Sequence, residues 1–195
     1  MTLANKLTLS RIICIPVFVL FMSLNGFYAR LISMLLFILA DLTDLYDGYL
    51  ARRLGQVTSV GQFLDPLADK LMVSAALLSF IRFSELAIPI WMIIVIISRE
   101  FIINDLRSLA KLNSIVINVT KAGKLKTAVQ MGAISIIMGL LMLENYGSTN
   151  VAGFDMIMKG IVFWLMLIVM IITVATGIDY MARGAKMMTK KRIPQ

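Results

Sequence analysis

The sequence predicts an all-α, polytopic membrane protein with six transmembrane helices and a short interfacial segment at the N-terminus. Two proportions lead to this class: 59% of the 195 residues are hydrophobic and only 15% are charged, whereas a soluble domain carries about 25% charged residues. A soluble domain of this length could not bury so much apolar surface in one core. The same proportions exclude an intrinsically disordered chain. The lipid bilayer is the environment that suits this composition.

Six hydrophobic segments follow one another along the chain, each about 20 residues long, which is the length of a helix that crosses the hydrocarbon core. They run approximately over Leu9–Phe27, Ala29–Leu50, Gly61–Phe83, Ile88–Leu109, Leu125–Leu143 and Met156–Met181. Six such helices use most of the chain, so we expect residues 1–195 to form a single membrane domain. Residues Met1–Leu9 are predicted to form a short amphipathic entry segment in the membrane interface.

The basic residues are distributed unequally between the two ends of these segments. Of the 19 lysines and arginines, all but Arg30, Arg82 and Lys159 fall in regions on one side. An excess of Lys and Arg marks the cytoplasmic side of a membrane protein. We therefore expect a multi-pass protein with both termini in the cytoplasm. Because the basic residues flank apolar spans, the net charge of +8 favours anchoring at anionic lipid over nucleic-acid binding.

The residue types that are rare in this chain exclude several kinds of chemistry. Histidine is absent and Cys14 is the single cysteine. Catalysis by Ser-His-Asp or Cys-His groups, histidine metal sites and an intrachain disulfide are therefore excluded.

Four aspartates on two neighbouring segments need a counter-charge at membrane depth. Asp44 and Asp47 are spaced i, i+3, and Asp65 and Asp69 are spaced i, i+4, so each pair shares one face of a helix. We expect the stretch Gly48–Gly61 to be a cytoplasmic turn that brings the two pairs together. A carboxylate at this depth is costly unless it is paired, hydrated or bound to a metal.

The ligand chemistry of this cluster favours hard cations. Carboxylates without histidine or cysteine suit Mg²⁺ or Mn²⁺ rather than Zn²⁺, and two such ions are typical of phosphoryl-type transfer. Gly48 and Gly61 would leave room for a flat ligand, and Arg52 would reach a phosphate. The residues themselves leave three interpretations open: a metal-dependent enzyme acting on a diphosphate, a transporter or channel for cations, and structural ion pairing. Close helix packing is the other role open to the glycines.

The full pattern is Asp44-x2-Asp47-Gly48-x2-Ala51-Arg52-x8-Gly61-x3-Asp65-x3-Asp69. It resembles the signature of the CDP-alcohol phosphatidyltransferases, with all eight fixed positions at the spacing of that family. The resemblance implies transfer of a phosphatidyl group from CDP-diacylglycerol to an alcohol, with release of CMP.

The resemblance also implies roles for the motif residues. Two divalent ions would be coordinated by Asp44, Asp47, Asp65 and Asp69. Asp69 would in addition be the catalytic base for the acceptor hydroxyl. The CDP group would be bound by Asp44, Gly48, Ala51, Arg52 and Gly61.

Other parts of the chain resemble the subgroup of the family that makes phosphatidylglycerol phosphate. The matching runs are Asn5-x2-Thr8-x2-Arg11, Leu64–Lys70, Ser98–Phe101, Leu106-Arg107 and Gly123–Thr127. The implied acceptor is sn-glycerol 3-phosphate, with its phosphate bound by Thr8, Arg11, Arg99, Arg107, Lys124 and Lys126. The resemblance further implies a homodimer in the cytoplasmic membrane of a bacterium. Inositol phosphate, serine or phosphatidylglycerol as acceptor, and a divalent-cation transporter, are the alternatives.

Three further acidic residues lie close to these motifs. Glu100 is expected to pair with one of the nearby basic residues. Asp41 adds a fifth carboxylate before the aspartate motif, as a group behind the metal ligands or as a partner of a basic residue. Asp105 precedes Leu106-Arg107, and the sequence does not assign a role to it.

Overall fold

The computed structural model describes the backbone of residues 3–54, 59–112, 121–145 and 153–191. Within these ranges it describes the side chains of residues 9–43, 67–68, 70–110, 122–144 and 153–184. The helices are α1 (Leu3–Ser23), α2 (Phe27–Leu54), α3 (Ser59–Phe80), α4 (Ile90–Leu112), α5 (Lys121–Asn145) and α6 (Phe154–Lys191). A short 3₁₀ turn at Ser84–Leu86 connects α3 to α4.

The all-α class predicted from the composition is confirmed, since the described ranges contain helices and no strand. Each of the six helices lies over one of the six hydrophobic segments. Among the described residues, Ala122–Glu144 and Phe154–Gly184 are long and apolar enough to cross a membrane by themselves. The crossing of a membrane by all six helices stays a prediction.

Two expected boundaries were wrong. The boundary expected at Leu9 does not interrupt the first helix, because α1 runs without a break from Leu3 to Ser23 and includes Pro16; the location of residues Met1–Leu9 in the membrane interface stays a prediction. Most of the stretch Gly48–Gly61, expected to be a turn, is helical, because α2 continues to Leu54 and α3 already begins at Ser59. The sequence offers no helix-breaking proline between positions 48 and 61, so the helices extend beyond the ends of the apolar segments.

The packing of the helices joins the first and second halves of the chain. Helix α1 packs against α2 and α3, and α6 packs against α4 and α5. Contacts of α2 with α5 and of α3 with α4 connect these groups. The fully buried side chains in the middle include Phe18, Phe37, Leu77, Ile93 and Ile134. Between helices in a bilayer, side chains of this kind stabilise the arrangement through close van der Waals packing, since lipid is as apolar as the core.

The outer faces of the helices are also apolar. Large hydrophobic side chains that are more than half exposed include Leu20, Leu39, Ile94, Trp164 and Ile178. A soluble monomer rarely exposes apolar patches of this extent. The exposed faces therefore support the membrane environment that the composition indicates.

Arg30 contacts the end of α5 and the residues after α3, at the end of the molecule that lies away from the aspartate motif. Its side chain is 9% exposed and donates to the backbone carbonyl of Leu141. The same Nη1 lies 3.2 Å from Oε2 of Glu144, and the guanidinium lies 5.0 Å from the ring centre of Phe83. This contact joins the start of α2 to the end of α5 and to the residues after α3.

Candidate active site

A cavity of about 760 Å³ lies where α4 and α6 approach their C-terminal ends and α5 begins. The polar residues that line it come from five helices and are Asp41, Lys70, Arg99, Glu100, Asn104, Arg107, Lys124, Lys126, Thr127, Ser135, Thr176, Asp179 and Tyr180. A polar cavity among apolar helices is costly to maintain unless it binds something. It is therefore the candidate site.

Two residues that are close in sequence to the aspartate motif line this cavity, and each lies on one of the two helices that carry the motif. Asp41 lies on α2, one turn before Asp44, and Lys70 directly follows Asp69 on α3. Both Asp41 and Lys70 line the cavity. Since positions 44–47 and 65–69 are helical, the i, i+3 and i, i+4 spacings that the sequence analysis used are real helical spacings.

The predicted metal ligands and CDP-binding residues lie outside the part of the chain whose side chains the structure describes. These residues are Asp44, Asp47, Gly48, Ala51, Arg52, Gly61, Asp65 and Asp69. Among the side chains that are described, no group of three or more acidic or cysteine residues could hold a metal ion. The donor chemistry of the four aspartates, all hard oxygen, fits Mg²⁺ or Mn²⁺. Their metal-binding role stays a prediction.

The structure brings together four of the six residues that the sequence analysis assigned to the acceptor phosphate. Arg99 and Arg107 of α4 line the same cavity as Lys124 and Lys126 of α5. Arg11 of α1 is buried, at 3% exposure, and is not among the described residues that line the cavity. The side chain of Thr8 lies outside the described residues.

Arg99 is held by a hydroxyl of α6. Its Nη2 donates to Oγ1 of Thr176 at 2.9 Å. Its Nε is buried and has no hydrogen-bond partner among the described residues. A guanidinium presents its donors in a rigid fork that matches phosphate oxygens. Because Arg99 lines the cavity and Thr176 takes up only Nη2, the guanidinium has donor capacity left for an anion there.

Arg107 lies two turns further along α4 and packs on an aromatic ring. Its guanidinium carbon is 5.5 Å from the ring centre of Tyr180, a distance that permits a cation–π interaction. Arg107 Nε and the Tyr180 hydroxyl are both buried without a hydrogen-bond partner in the described part of the chain. Buried polar groups are rarely left unsatisfied. Arg107 and Tyr180 together form one wall of the cavity.

Glu100 holds two lysines of neighbouring helices. Its Oε2 lies 3.3 Å from Nζ of Lys70, and its Oε1 contacts Nζ of Lys126. The expectation that Glu100 pairs with a nearby base is confirmed. One carboxylate opposite two ammonium groups leaves this cluster with a positive charge.

The described residues that line the cavity carry an excess of positive charge. The described lining contains five basic residues, Lys70, Arg99, Arg107, Lys124 and Lys126, and three acidic residues, Asp41, Glu100 and Asp179. Five positive charges against three negative charges leave +2. In a partly enclosed space of low polarisability, such an excess attracts an anion of matching charge.

The contribution of α6 to the cavity was not predicted from the sequence. Thr176, Asp179 and Tyr180 line the cavity, and their spacing of three and four residues places them on one face of the helix. Three polar side chains on one face of an otherwise apolar segment were a signal that could have found them. Asp105, whose role the sequence left open, is exposed and is not among the residues that line the cavity.

The chain belongs to the CDP-alcohol phosphatidyltransferase family, whose model matches residues 1–178. It is similar to the CDP-diacylglycerol--glycerol-3-phosphate 3-phosphatidyltransferase of Rickettsia bellii, with 38% identity over 91% of this chain and 92% of that protein. The enzyme of the same name from Bacillus subtilis is 45% identical over 70% of this chain and 76% of its own length. The probable phosphatidylglycerophosphate synthase of Mycobacterium tuberculosis H37Rv is 37% identical over 94% of this chain and 82% of its own length.

Family membership confirms the resemblance that the aspartate motif indicated. Members of the family generally depend on a divalent metal. Together with the exposed apolar faces of the helices, the family identifies the chain as a membrane protein.

Proposed function

We propose that this protein transfers the phosphatidyl group of CDP-diacylglycerol to sn-glycerol 3-phosphate, which yields phosphatidylglycerol phosphate and CMP. The names of the similar proteins support both substrates. The single observation in the structure that carries the proposal is the convergence of Arg99, Arg107, Lys124 and Lys126 on one cavity, which favours a phosphate-bearing acceptor. The net charge of +2 on the described lining complements the dianionic phosphate of glycerol 3-phosphate. Serine, which carries no phosphate, would leave these cations without a counter-charge.

The donor would bind beside this cavity, along the aspartate motif of α2 and α3. Its acyl chains would stay in the bilayer while the CDP group lies against Asp44, Gly48, Ala51, Arg52 and Gly61. Two divalent ions, Mg²⁺ or Mn²⁺, would be held by Asp44, Asp47, Asp65 and Asp69. When bound, they would neutralise the diphosphate and stabilise the charge that develops on CMP.

The catalytic step is a displacement at phosphorus. Asp69 takes the proton from the acceptor hydroxyl, and the hydroxyl oxygen attacks the phosphorus next to diacylglycerol. The bond between that phosphorus and the oxygen bridging to CMP breaks, and CMP leaves with the electron pair. Asp69 directly precedes Lys70 in the sequence, and Lys70 lines the cavity, which supports an acceptor site close to the aspartate motif. A positioned carboxylate of this kind contributes roughly 10²–10⁴-fold to the rate.

We also propose a membrane topology and an oligomeric state for the enzyme. Residues 1–195 form one domain that crosses the cytoplasmic membrane of a bacterium six times and associates as a homodimer. The basic residues of the cavity belong to the side that the charge distribution assigns to the cytoplasm. A water-soluble, phosphate-bearing acceptor would then enter the site from the cytoplasm.

The test is a transfer assay with the purified full-length protein in detergent micelles. CDP-diacylglycerol labelled in the cytidine, Mg²⁺ and a single acceptor are mixed, and CMP release and the lipid product are measured. Glycerol 3-phosphate is expected to give CMP and phosphatidylglycerol phosphate in equal amounts. EDTA is expected to stop the reaction, and Mg²⁺ or Mn²⁺ in excess to restore it.

Parallel reactions with inositol phosphate, serine and phosphatidylglycerol separate the alternatives. Activity with one of these acceptors and none with glycerol 3-phosphate would overturn the acceptor. Metal-ion flux across liposomes that contain the protein, without CMP release from any acceptor, would favour the transporter instead.

A further inference from the structure

Gly177 of α6 lies directly against the side chain of Arg99 of α4. A Cβ atom at position 177 would lie 2.9 Å from Arg99 Nε and 3.2 Å from Arg99 Cγ. Both distances are shorter than ordinary van der Waals contact. Gly177 is buried, so a larger residue there would force the guanidinium of Arg99 to a different place.

The preceding residue determines the orientation of the same guanidinium. The Thr176 hydroxyl lies 2.8 Å from the carbonyl oxygen of Ile172 and donates its proton to the helix backbone. Its oxygen then accepts the hydrogen bond from Arg99 Nη2 at 2.9 Å. Thr176 therefore acts on Arg99 as an acceptor with a fixed direction.

These two contacts leave a defined part of Arg99 facing the cavity. Arg99 lines the cavity together with Thr176, while its Nε, the atom nearest to position 177, is buried. Since the guanidinium is planar and rigid, fixing one edge fixes the direction of the other donors. A small displacement of such a fork would break bidentate contact with a phosphate.

We propose that Gly177 and Thr176 are positioning residues that hold the Arg99 guanidinium in place for the phosphate of the acceptor. Neither residue needs to touch the substrate. The inference rests on the proposed function, in that the acceptor has a phosphate that Arg99 binds. It predicts that changes at positions 176 and 177 alter the affinity for the acceptor and leave the CDP-lipid site unchanged.

The first test compares Gly177→Ala with Gly160→Ala. Both glycines lie on α6, but a Cβ at Gly160 would meet no atom within 4 Å, so Gly160→Ala controls for the helical preference of alanine. Loss of one charge-assisted contact is expected to raise the KM for glycerol 3-phosphate about tenfold in Gly177→Ala. The KM for CDP-diacylglycerol and the KM values of Gly160→Ala are expected to match the wild type.

The second test leaves the helix contacts of position 177 intact. Thr176→Val removes the hydroxyl with little change in shape, and Thr176→Ser keeps it. Thr176→Val is expected to raise the KM for the acceptor, and Thr176→Ser to restore the wild-type value. If both variants change the KM for the acceptor equally, the hydroxyl of Thr176 does not position Arg99, and Thr176 has only a structural role.

A binding measurement separates this inference from the proposed reaction. Inorganic phosphate is titrated into the purified proteins, and the increase in the midpoint of thermal unfolding is recorded. The phosphate concentration for half of the effect is expected to rise in Gly177→Ala and not in Gly160→Ala. If the wild type lacks transferase activity, but Gly177→Ala needs more phosphate for half of the effect than the wild type and Gly160→Ala do, the proposed function is wrong and the positioning role is supported. If Gly177→Ala matches Gly160→Ala in this titration and in KM, the positioning role falls whatever the reaction is.

Discussion

Glu100 of α4 and Lys126 of α5 form an ion pair in which the Glu100 side chain is 5% exposed and the Lys126 side chain is 4% exposed. Lys70 of α3 lies on the other oxygen of the same carboxylate at 3.3 Å. Three helices therefore meet at one buried acidic side chain beside the cavity. Removing one member of a buried pair leaves an uncompensated charge, which costs more than the pair itself contributes.

The first prediction concerns this carboxylate. Glu100→Leu is expected to lower the free energy of unfolding by about 3–5 kcal/mol, because Lys126 and Lys70 lose their counter-charge. The measurement is the thermal midpoint of the purified protein in detergent. Asp105→Leu, on an exposed position of the same helix, is expected to change stability by less than about 0.5 kcal/mol. Equal midpoints for the two variants would contradict the prediction.

The second prediction concerns Arg30 and Glu144 at the other end of the molecule. Arg30→Met is expected to destabilise the protein by about 3 kcal/mol, because Glu144, 15% exposed, is left unpaired. The double variant Arg30→Met with Glu144→Met is expected to recover part of this loss, because the isolated charge is also gone. Thermal midpoints of the single and double variants measure the difference. A double variant less stable than Arg30→Met would show that the pair is not the source of the effect.

The third prediction concerns the proposed base. Asp69→Asn is expected to lower kcat by at least about 10²-fold, since the amide cannot accept the proton of the acceptor hydroxyl. The thermal midpoint is expected to stay close to that of the wild type. Asp155→Asn, at the exposed start of α6, serves as the control and is expected to keep full activity. Substantial turnover by Asp69→Asn would reject the role of base.

The fourth prediction concerns Arg107. Arg107→Ala is expected to raise the KM for glycerol 3-phosphate about tenfold or more, because a charge-assisted contact with the phosphate is lost. The KM for CDP-diacylglycerol is expected to change little. Lys159→Ala, an exposed basic residue near the start of α6, is the control for the loss of a positive charge. An effect confined to the CDP-lipid would place Arg107 at the other substrate.

The fifth prediction concerns the orientation in the membrane. Cys14 is the single cysteine, so Cys14→Ser provides a background for one new labelling site at a time. In intact cells a membrane-impermeant maleimide is expected to label Lys159→Cys and not Lys190→Cys, because the excess of basic residues marks the cytoplasmic side. Both sites are expected to react after the cells are lysed. The opposite pattern would invert the proposed topology.

Part of the site could be anticipated from residues that are neighbours along the chain. Arg99 and Arg107 are eight residues apart on one helix, and Lys124 and Lys126 are two apart near the start of the next helix, so local motifs were sufficient to select them. Arg11 was selected by the same reasoning and lies elsewhere, buried on α1. Sequence proximity to a motif does not determine which face of a helix points into a cavity, and only the packing of the bundle determines that face.

The amino-acid sequence by itself determined the helical class, the positions of the six helices and the spacing of the aspartates, because these depend on composition and on the periodicity of a single helix. Only the tertiary structure decided that α6 completes the cavity, that Glu100 holds two lysines, and that Gly177 makes room for Arg99. These relationships join residues on different helices, such as position 99 with positions 176 and 177. Contacts of this kind depend on how the helices pack, which hydrophobic periodicity does not specify.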